Sequence, residues 1–302
     1  MDWNVFQDLI QNRRGERLKE SIEFAKQSGY RIVYSIAHMW DLSRCGNTEY
    51  VKKDLSEVSK LTDNWCVSTK SVGGPIVYEQ CIPKDVIRNV NKQQIQGEKA
   101  KVESPYSFPS YMVDMSKVSD ENILVPYLKK QNGMMSPKLL NDFVKELYEK
   151  VSTDYKIQKK FRKSLEEIIG INNPAFVPLH DMAFYRHIFS TEEVIVKNLP
   201  EIINSVLSLD NETLDTIPIE KKITTTYSLL DFFPAFNEGL DKRNNMRNIV
   251  IDALHVFLAS DSRCLVSSDK NMLKKAKIVY KTYGVRTKVY ETGKFIQNIT
   301  LH

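Results

Sequence analysis

The sequence has no run that approaches the roughly 20 apolar residues needed to span a bilayer, so no membrane partner is expected. Its opening, Met1-Asp2-Trp3-Asn4, carries neither a basic leader nor an apolar signal core, and a cytoplasmic location is expected. Cysteine is scarce. Cys45, Cys66, Cys81 and Cys264 stand far apart with no C-x-x-C pair, which gives no foothold to a zinc site or a disulfide framework; all are expected reduced and mostly packed. A Walker loop, a G-x-S-x-G elbow, an H-E-x-x-H helix and a Rossmann glycine fingerprint are absent, and with them the reaction classes they serve. There is also no internal repeat and no low-complexity block.

What is present is a chain of 302 residues with 42% hydrophobic content, enough to bury a sizeable core. The formal charge of +5 permits a polyanionic partner without demanding one. Periodicity divides the chain into three zones. In residues 1–70, Val5, Phe6, Leu9 and Ile10 mark an opening helix, and Leu18, Ile22, Phe24 and Ala25 a second one that Gly29 ends. Arg31 to Ser35 then reads as a buried strand that runs straight into a helix, Ile36 to Ser43, and Asp54 to Leu61 as a further helix.

Residues 71–240 change style. Gly73-Gly74-Pro75, Pro83, Pro105, Pro109, Pro126 and Pro137 punctuate them before helical patterns take over, as in Leu139-Leu140, Phe143-Val144 and Leu147, and again in Phe161, Leu165 and Ile168-Ile169. Loops such as Asn172-Asn173-Pro174 interrupt what is expected to be a mainly helical insertion. Residues 241–302 return to α/β: a helix from Asn245 to Leu258, a strand Cys264 to Ser267, a helix Asn271 to Tyr280 and a strand Val285 to Tyr290. Strand, helix and strand in so short a span favour a parallel sheet, so the outer zones read as two halves of one domain.

The chemistry lies in aspartates. Asp269 ends an apolar strand just before a helix, where open parallel sheets form their ligand sites; equally, it could cap that helix. Asp252 sits among large apolar residues on its helix. An unpaired charge there would cost several kcal/mol unless a cation, or an ion pair with Arg247 or Arg243, offset it. Asp41 follows the first strand by one helical turn and either points back to the strand's carboxyl end or lies on an exposed helix face. Asp2 is either a site acid or the cap of the first helix. His38 and His255 lie three residues from Asp41 and Asp252 and could orient those acids from behind, or simply pack. Carboxylates converging from separate elements would suit Mg²⁺ or Mn²⁺, hard cations that neutralise a phosphate and activate water.

At these residues the sequence resembles the PIN-domain family of metal-dependent ribonucleases. Asp2-Trp3-Asn4-Val5 is similar to the family's acid-x-Asn-hydrophobe start, and Tyr34 to Leu42 to the strand and helix with the second acid, Asp standing where Glu is commoner. Asp252-Ala253-Leu254-His255 and Leu265 to Asp269 resemble the third and fourth acidic motifs. The resemblance implies a PIN-like α/β fold with a parallel sheet, built from residues 1–70 and 241–302 around the insertion 71–240. It implies Asp2, Asp41, Asp252 and Asp269 as catalytic metal ligands for Mg²⁺ or Mn²⁺, with Asn4 supporting Asp2. It further implies an endoribonuclease that acts on RNA and leaves a 5′-phosphate and a 3′-hydroxyl, serving as a toxin or defence effector with an antitoxin or inhibitor protein as partner. Lys270 and Lys274, together with Lys275 and Lys277, are candidate phosphate contacts on the helix after Asp269, although a solvated face would look the same. In the family a central strand precedes the first acid, whereas only Met1 precedes Asp2, so an upstream natural start or a damaged first motif is expected. A catalytically impaired PIN-like module that binds nucleic acid or protein, and a DNA-directed nuclease, stay open beside the leading expectation.

Overall fold

The computed structural model describes residues 1–71, 73–97, 110–136, 190–208, 212–237 and 246–299, with short stretches within 138–187. The chain is a mixed α/β protein that divides into two compact units: Met1–Ala100 with Pro218–Thr224 and Ile251–His302, and Lys101–Ile217 with Thr225–Val250.

The first unit opens with α1 (Trp3–Ile10) and α2 (Glu16–Gln27), where the apolar spacing predicts them. Gly29 adopts φ +82° just past α2, a left-handed turn that a side chain would strain. The expected strand from Arg31 shrinks to β1 (Tyr34–Ser35), because only these two residues find a ladder partner. Helix α3 (Ile36–Ser43) follows at once, and α4 (Thr48–Thr62) is longer than its apolar core indicates because Asn47 caps it, accepting from the N–H groups of Glu49 and Tyr50. Next come β2 (Trp65–Thr69), β3 (Ile76–Gln80) and α5 (Pro83–Gly97). The hairpin β2–β3 and α5 belong to this unit, although the zone boundary at residue 70 divides them; Ile87 and Val90 pack in one cluster with Phe6, Tyr34, Met39 and Cys66.

The described elements of the second unit are helical apart from one antiparallel pair, β4 (Tyr111–Met112) with β5 (Met134–Met135). Helix α6 (Val125–Lys130) lies between those strands; α7 (Ala183–His187), α8 (Glu192–Lys197) and α9 (Leu199–Leu207) follow. Leu199, Ile202, Ile203 and Leu207 form the buried stripe of α9, and Phe184 meets Phe233 edge to face at 5.3 Å. The periodic residues Leu140, Val144, Leu147, Phe161, Leu165, Ile168 and Ile169, and the loop Asn172-Asn173-Pro174, lie outside the described residues. Helix α10 (Ile219–Leu230) begins in the first unit and ends in the second, and α11 (Met246–Ala259) runs the other way.

The remainder of the first unit is β6 (Cys264–Ser267), α12 (Lys270–Thr282), β7 (Lys288–Glu291) and α13 (Thr292–Ile299). β6 and β7 pair in parallel, as a crossover helix between them dictates. The unit's strands form two separate sheets, β1-β2-β3 and β6-β7. α1 packs into both cores: Phe6 joins the cluster around Tyr34 and Cys66, while Val5 and Leu9 join the cluster around Val266, Ile22 and Phe295. Among the described residues no helix is long and apolar enough to cross a membrane.

Candidate functional site

β1 and β6 each end where a helix begins, so the free N–H groups of α3 and α12 gather at strand carboxyl ends, together with those of α1. Asp2 stands at this point. It is 3% exposed; its N–H donates to the Val266 carbonyl of β6 at 2.9 Å, and its Oδ1 accepts from Val5 N at 3.0 Å, capping α1. Its Oδ2 accepts from Ser267 Oγ, which in turn accepts from the backbone N–H of Asp269 at 2.9 Å. Burial pushes the Asp2 carboxyl above its usual range, against the bonds from Ser267 and Val5 that favour its ionised form.

Asp269 caps α12: Oδ1 accepts from Asn271 N at 2.8 Å and Met272 N at 3.0 Å. Of the two alternatives for this residue, the cap is the one seen, placed at the carboxyl end of β6. Asn4 is exposed on α1, and the side-chain support of Asp2 comes instead from Ser267. A serine closing the apolar run Leu265-Val266 is the signal that identifies it, since a hydroxyl buried at a strand end must find a partner.

The two histidines lie back to back. His38 Nδ1 accepts from the Ser35 N–H at 3.0 Å, which closes the N-terminal turn of α3 on itself. Because a backbone N–H can only donate, the ring proton of the neutral imidazole sits on Nε2, where it donates to the Met1 carbonyl at 2.9 Å. Burial holds His38 well below its ordinary pKa, and His255 adds to the effect. The His38 and His255 rings meet edge to face at 4.5 Å. His255 Nε2 donates to Asp41 Oδ2 at 3.0 Å, so α11 is joined to α3 through a histidine and an aspartate from opposite ends of the chain. Asp41 also faces Arg44 at 3.9 Å. Asp252 is half-buried on α11, one turn before His255.

Beside Asp269, Ser268 Oγ accepts from Arg14 at 3.0 Å and lies 3.1 Å from Thr292 Oγ1, while the Arg14 Nε donates to Asp8 Oδ2. Arg14, at 42% side-chain exposure, is a cation near Asp269 that sequence spacing did not single out. Among the candidate lysines, Lys270 is exposed and Lys274 half-buried, but Lys275 is only 1% exposed and is ruled out as a solvent-facing phosphate contact.

The chain matches no family model, no curated protein and no solved structure in the three comparisons.

The donor set has the oxygen chemistry of a hard cation site, since Asp2, Asp41, Asp252 and Asp269 are all carboxylates. Their oxygens are not already turned to one point, and a cation would have to displace bonds that hold them. Among the described residues no three His, Cys, Asp or Glu side chains stand together as cation ligands. The oxygens of Asp2 are engaged by Val5 and Ser267, Oδ1 of Asp269 by the α12 cap, and Oδ2 of Asp41 by His255. All four cysteines are free thiols, Cys66 buried, Cys81 and Cys264 half-buried and Cys45 exposed.

Proposed function

We propose that the first unit is a PIN-like nuclease domain that hydrolyses RNA phosphodiester bonds, with Asp2, Asp41, Asp252 and Asp269 as its carboxylates and Mg²⁺ or Mn²⁺ as its cofactor. The observation that carries this reading is the gathering of distant motifs in one unit. Asp2 and Asp269 are bridged by Ser267, Asp41 is bonded to His255 one turn from Asp252, and the two groups meet through His38. Carboxylates brought together from separate elements suit this chemistry, because they could hold the hard cations that would offset the phosphate's charge and activate the attacking water. Arg14, paired with Asp8, also donates to Ser268 next to Asp269.

A second reading is that the fold serves as a non-catalytic module that binds nucleic acid or protein. It is favoured by the absence, among the described residues, of a ready three-ligand group and by the caps that occupy Asp2 and Asp269.

Purified protein incubated with labelled RNA and labelled DNA, with Mg²⁺, Mn²⁺ or chelator, separates the two. The nuclease reading expects cation-dependent cleavage of RNA ahead of DNA, leaving 5′-phosphate ends, and loss of about 100-fold or more in Asp41→Asn and Asp252→Asn. Intact substrates in every arm, with neither cation bound, would leave only the binding module. An antitoxin or inhibitor partner and a growth-arrest role follow from the nuclease reading and are tested by expressing the chain beside its Asp252→Asn variant.

A further inference from the structure

Helix α12 is charged unlike other helices of its unit. On α2, α4 and α5 exposed cations are matched by acids one turn away, in the pairs Lys19–Glu16 at 3.2 Å, Lys52–Glu49 and Lys60–Glu57 at 2.8 Å, and Arg88–Asp85 at 3.2 Å. α12 has five lysines and no acid, and the stretch from Lys270 to Tyr290 holds seven Lys or Arg with no Asp or Glu. The chain's whole positive excess of +5 therefore falls within this one stretch.

The exposed lysines of α12 share one face. By helical geometry Lys270, Lys277 and Lys281 lie within about 40° of one another around the axis and span about 16 Å along it, with Lys274 half-buried between them. Among the described residues Lys270, Lys277 and Lys281 make no ion pair. Their placement works against the helix itself. Lys270 occupies the first helical position, where the macrodipole favours an acid, and Lys270 with Lys274, like Lys277 with Lys281, sets like charges four residues apart. The helix is held by its other face, where Met272, Leu273, Ala276, Val279 and Tyr280 are buried. The stripe thus costs the fold stability, and a polyanion lying along it removes that cost.

We propose that the exposed stripe Lys270, Lys277 and Lys281 is a track for the phosphate backbone of an RNA strand. Its position gives the track a direction: Lys270 directly follows Asp269 at the carboxyl end of β6, so a strand laid along α12 arrives at the candidate site. A lipid surface fits less well, because a helix that lies on a bilayer needs an apolar face to insert, and that face of α12 is packed in the core. The choice of RNA rests on the nuclease reading; the binding itself needs no cation, so the two can fail separately.

The test is a titration of a fluorescent 12-residue oligouridylate with the whole protein, in chelator, followed by anisotropy from 50 to 200 mM salt. Expected is saturable binding that the triple variant Lys270→Gln, Lys277→Gln, Lys281→Gln weakens about tenfold or more. Its salt slope should fall by about 2, since each phosphate contact on a single strand contributes about 0.7. The corresponding triple Lys→Arg variant keeps the binding, and the control Lys19→Gln, Lys52→Gln, Lys60→Gln, which removes the same charge from paired lysines, leaves it unchanged. With like-charge repulsion relieved, the stripe variant is at least as resistant to urea as the wild type. Absence of saturable binding by the wild type, an equal loss in the control variant, a lower urea midpoint in the stripe variant, or tighter binding to phosphatidylserine vesicles than to the oligouridylate overturns the proposal. RNA that is bound along the stripe yet stays uncut when Mn²⁺ replaces chelator supports the track and overturns the nuclease reading. Cleavage at the wild-type rate and affinity in the stripe variant does the reverse.

Discussion

His38 is neutral because of where it is put: its Nδ1 closes the first turn of α3, its Nε2 proton is given to Met1, and its ring is walled in by Phe6 and His255. A folded-state pKa far below the unfolded value fixes the sign of its effect on stability. Above the unfolded value of about 6.5 neither state holds the extra proton and the stability is fully present; below it the unfolded chain takes a proton that the folded chain refuses. Stability from this residue therefore falls as pH falls through the unfolded value. Asp2 acts in the opposite sense, since burial raises its pKa and its contribution is lost as pH rises through that raised value. Urea melts of the wild type and His38→Gln across this range separate the two, because glutamine keeps the turn-closing acceptor and a donor but cannot be protonated. A variant with the same acid slope as the wild type would mean that His38 is not the group responsible. At this scale the sequence carried the types of the acids and not their partners. The i, i+3 spacing points His255 at Asp252, yet its bond runs to Asp41, which only the packing of α11 against α3 could reveal.

Elements were legible where periodicity was long. α1, α2, α12 and β6 lie where their apolar spacing predicts, whereas β1 is cut to two residues, since a strand needs a partner and Arg31 to Val33 have none in the ladder. The hairpin β2–β3 went unread because its proline- and glycine-rich turn looked like the start of another region. Ser267 is the position where an element's end and the site coincide, for its hydroxyl donates to the buried Asp2 carboxylate and accepts from the first residue of the α12 cap. Ser267→Ala leaves that carboxylate with a single backbone donor and Asp269 N without its acceptor. The expected cost at neutral pH is about 2–3 kcal/mol, read as a lower urea midpoint at unchanged slope. Much of that cost should vanish in Asp2→Asn, which carries no charge for the serine to satisfy; additive losses in the double variant would show that the two residues do not act through each other.

At the scale of the molecule, the two ends of the chain do meet in one unit, and that is what the aspartate pattern depended on. What the pattern could not carry is the competition for each carboxylate: helix caps, a serine and a histidine already hold the oxygens that a cation would use. Under the nuclease reading, cation binding must break some of these bonds, so it is weak and its signature is thermal. An ion that binds only the folded chain adds RT ln(1 + [ion]/Kd), about 2.7 kcal/mol at a hundredfold excess over Kd. Mn²⁺ titrated into the wild type should therefore raise the unfolding midpoint progressively without saturating at low millimolar levels. Asp41→Asn and Asp252→Asn should each abolish the rise, whereas Asn4→Ala, exposed and away from the bonds that hold Asp2, should leave it intact. Equal midpoint shifts in the wild type and both aspartate variants would place the ion elsewhere on the surface, and the four carboxylates would then be structural groups, each satisfied by the protein itself.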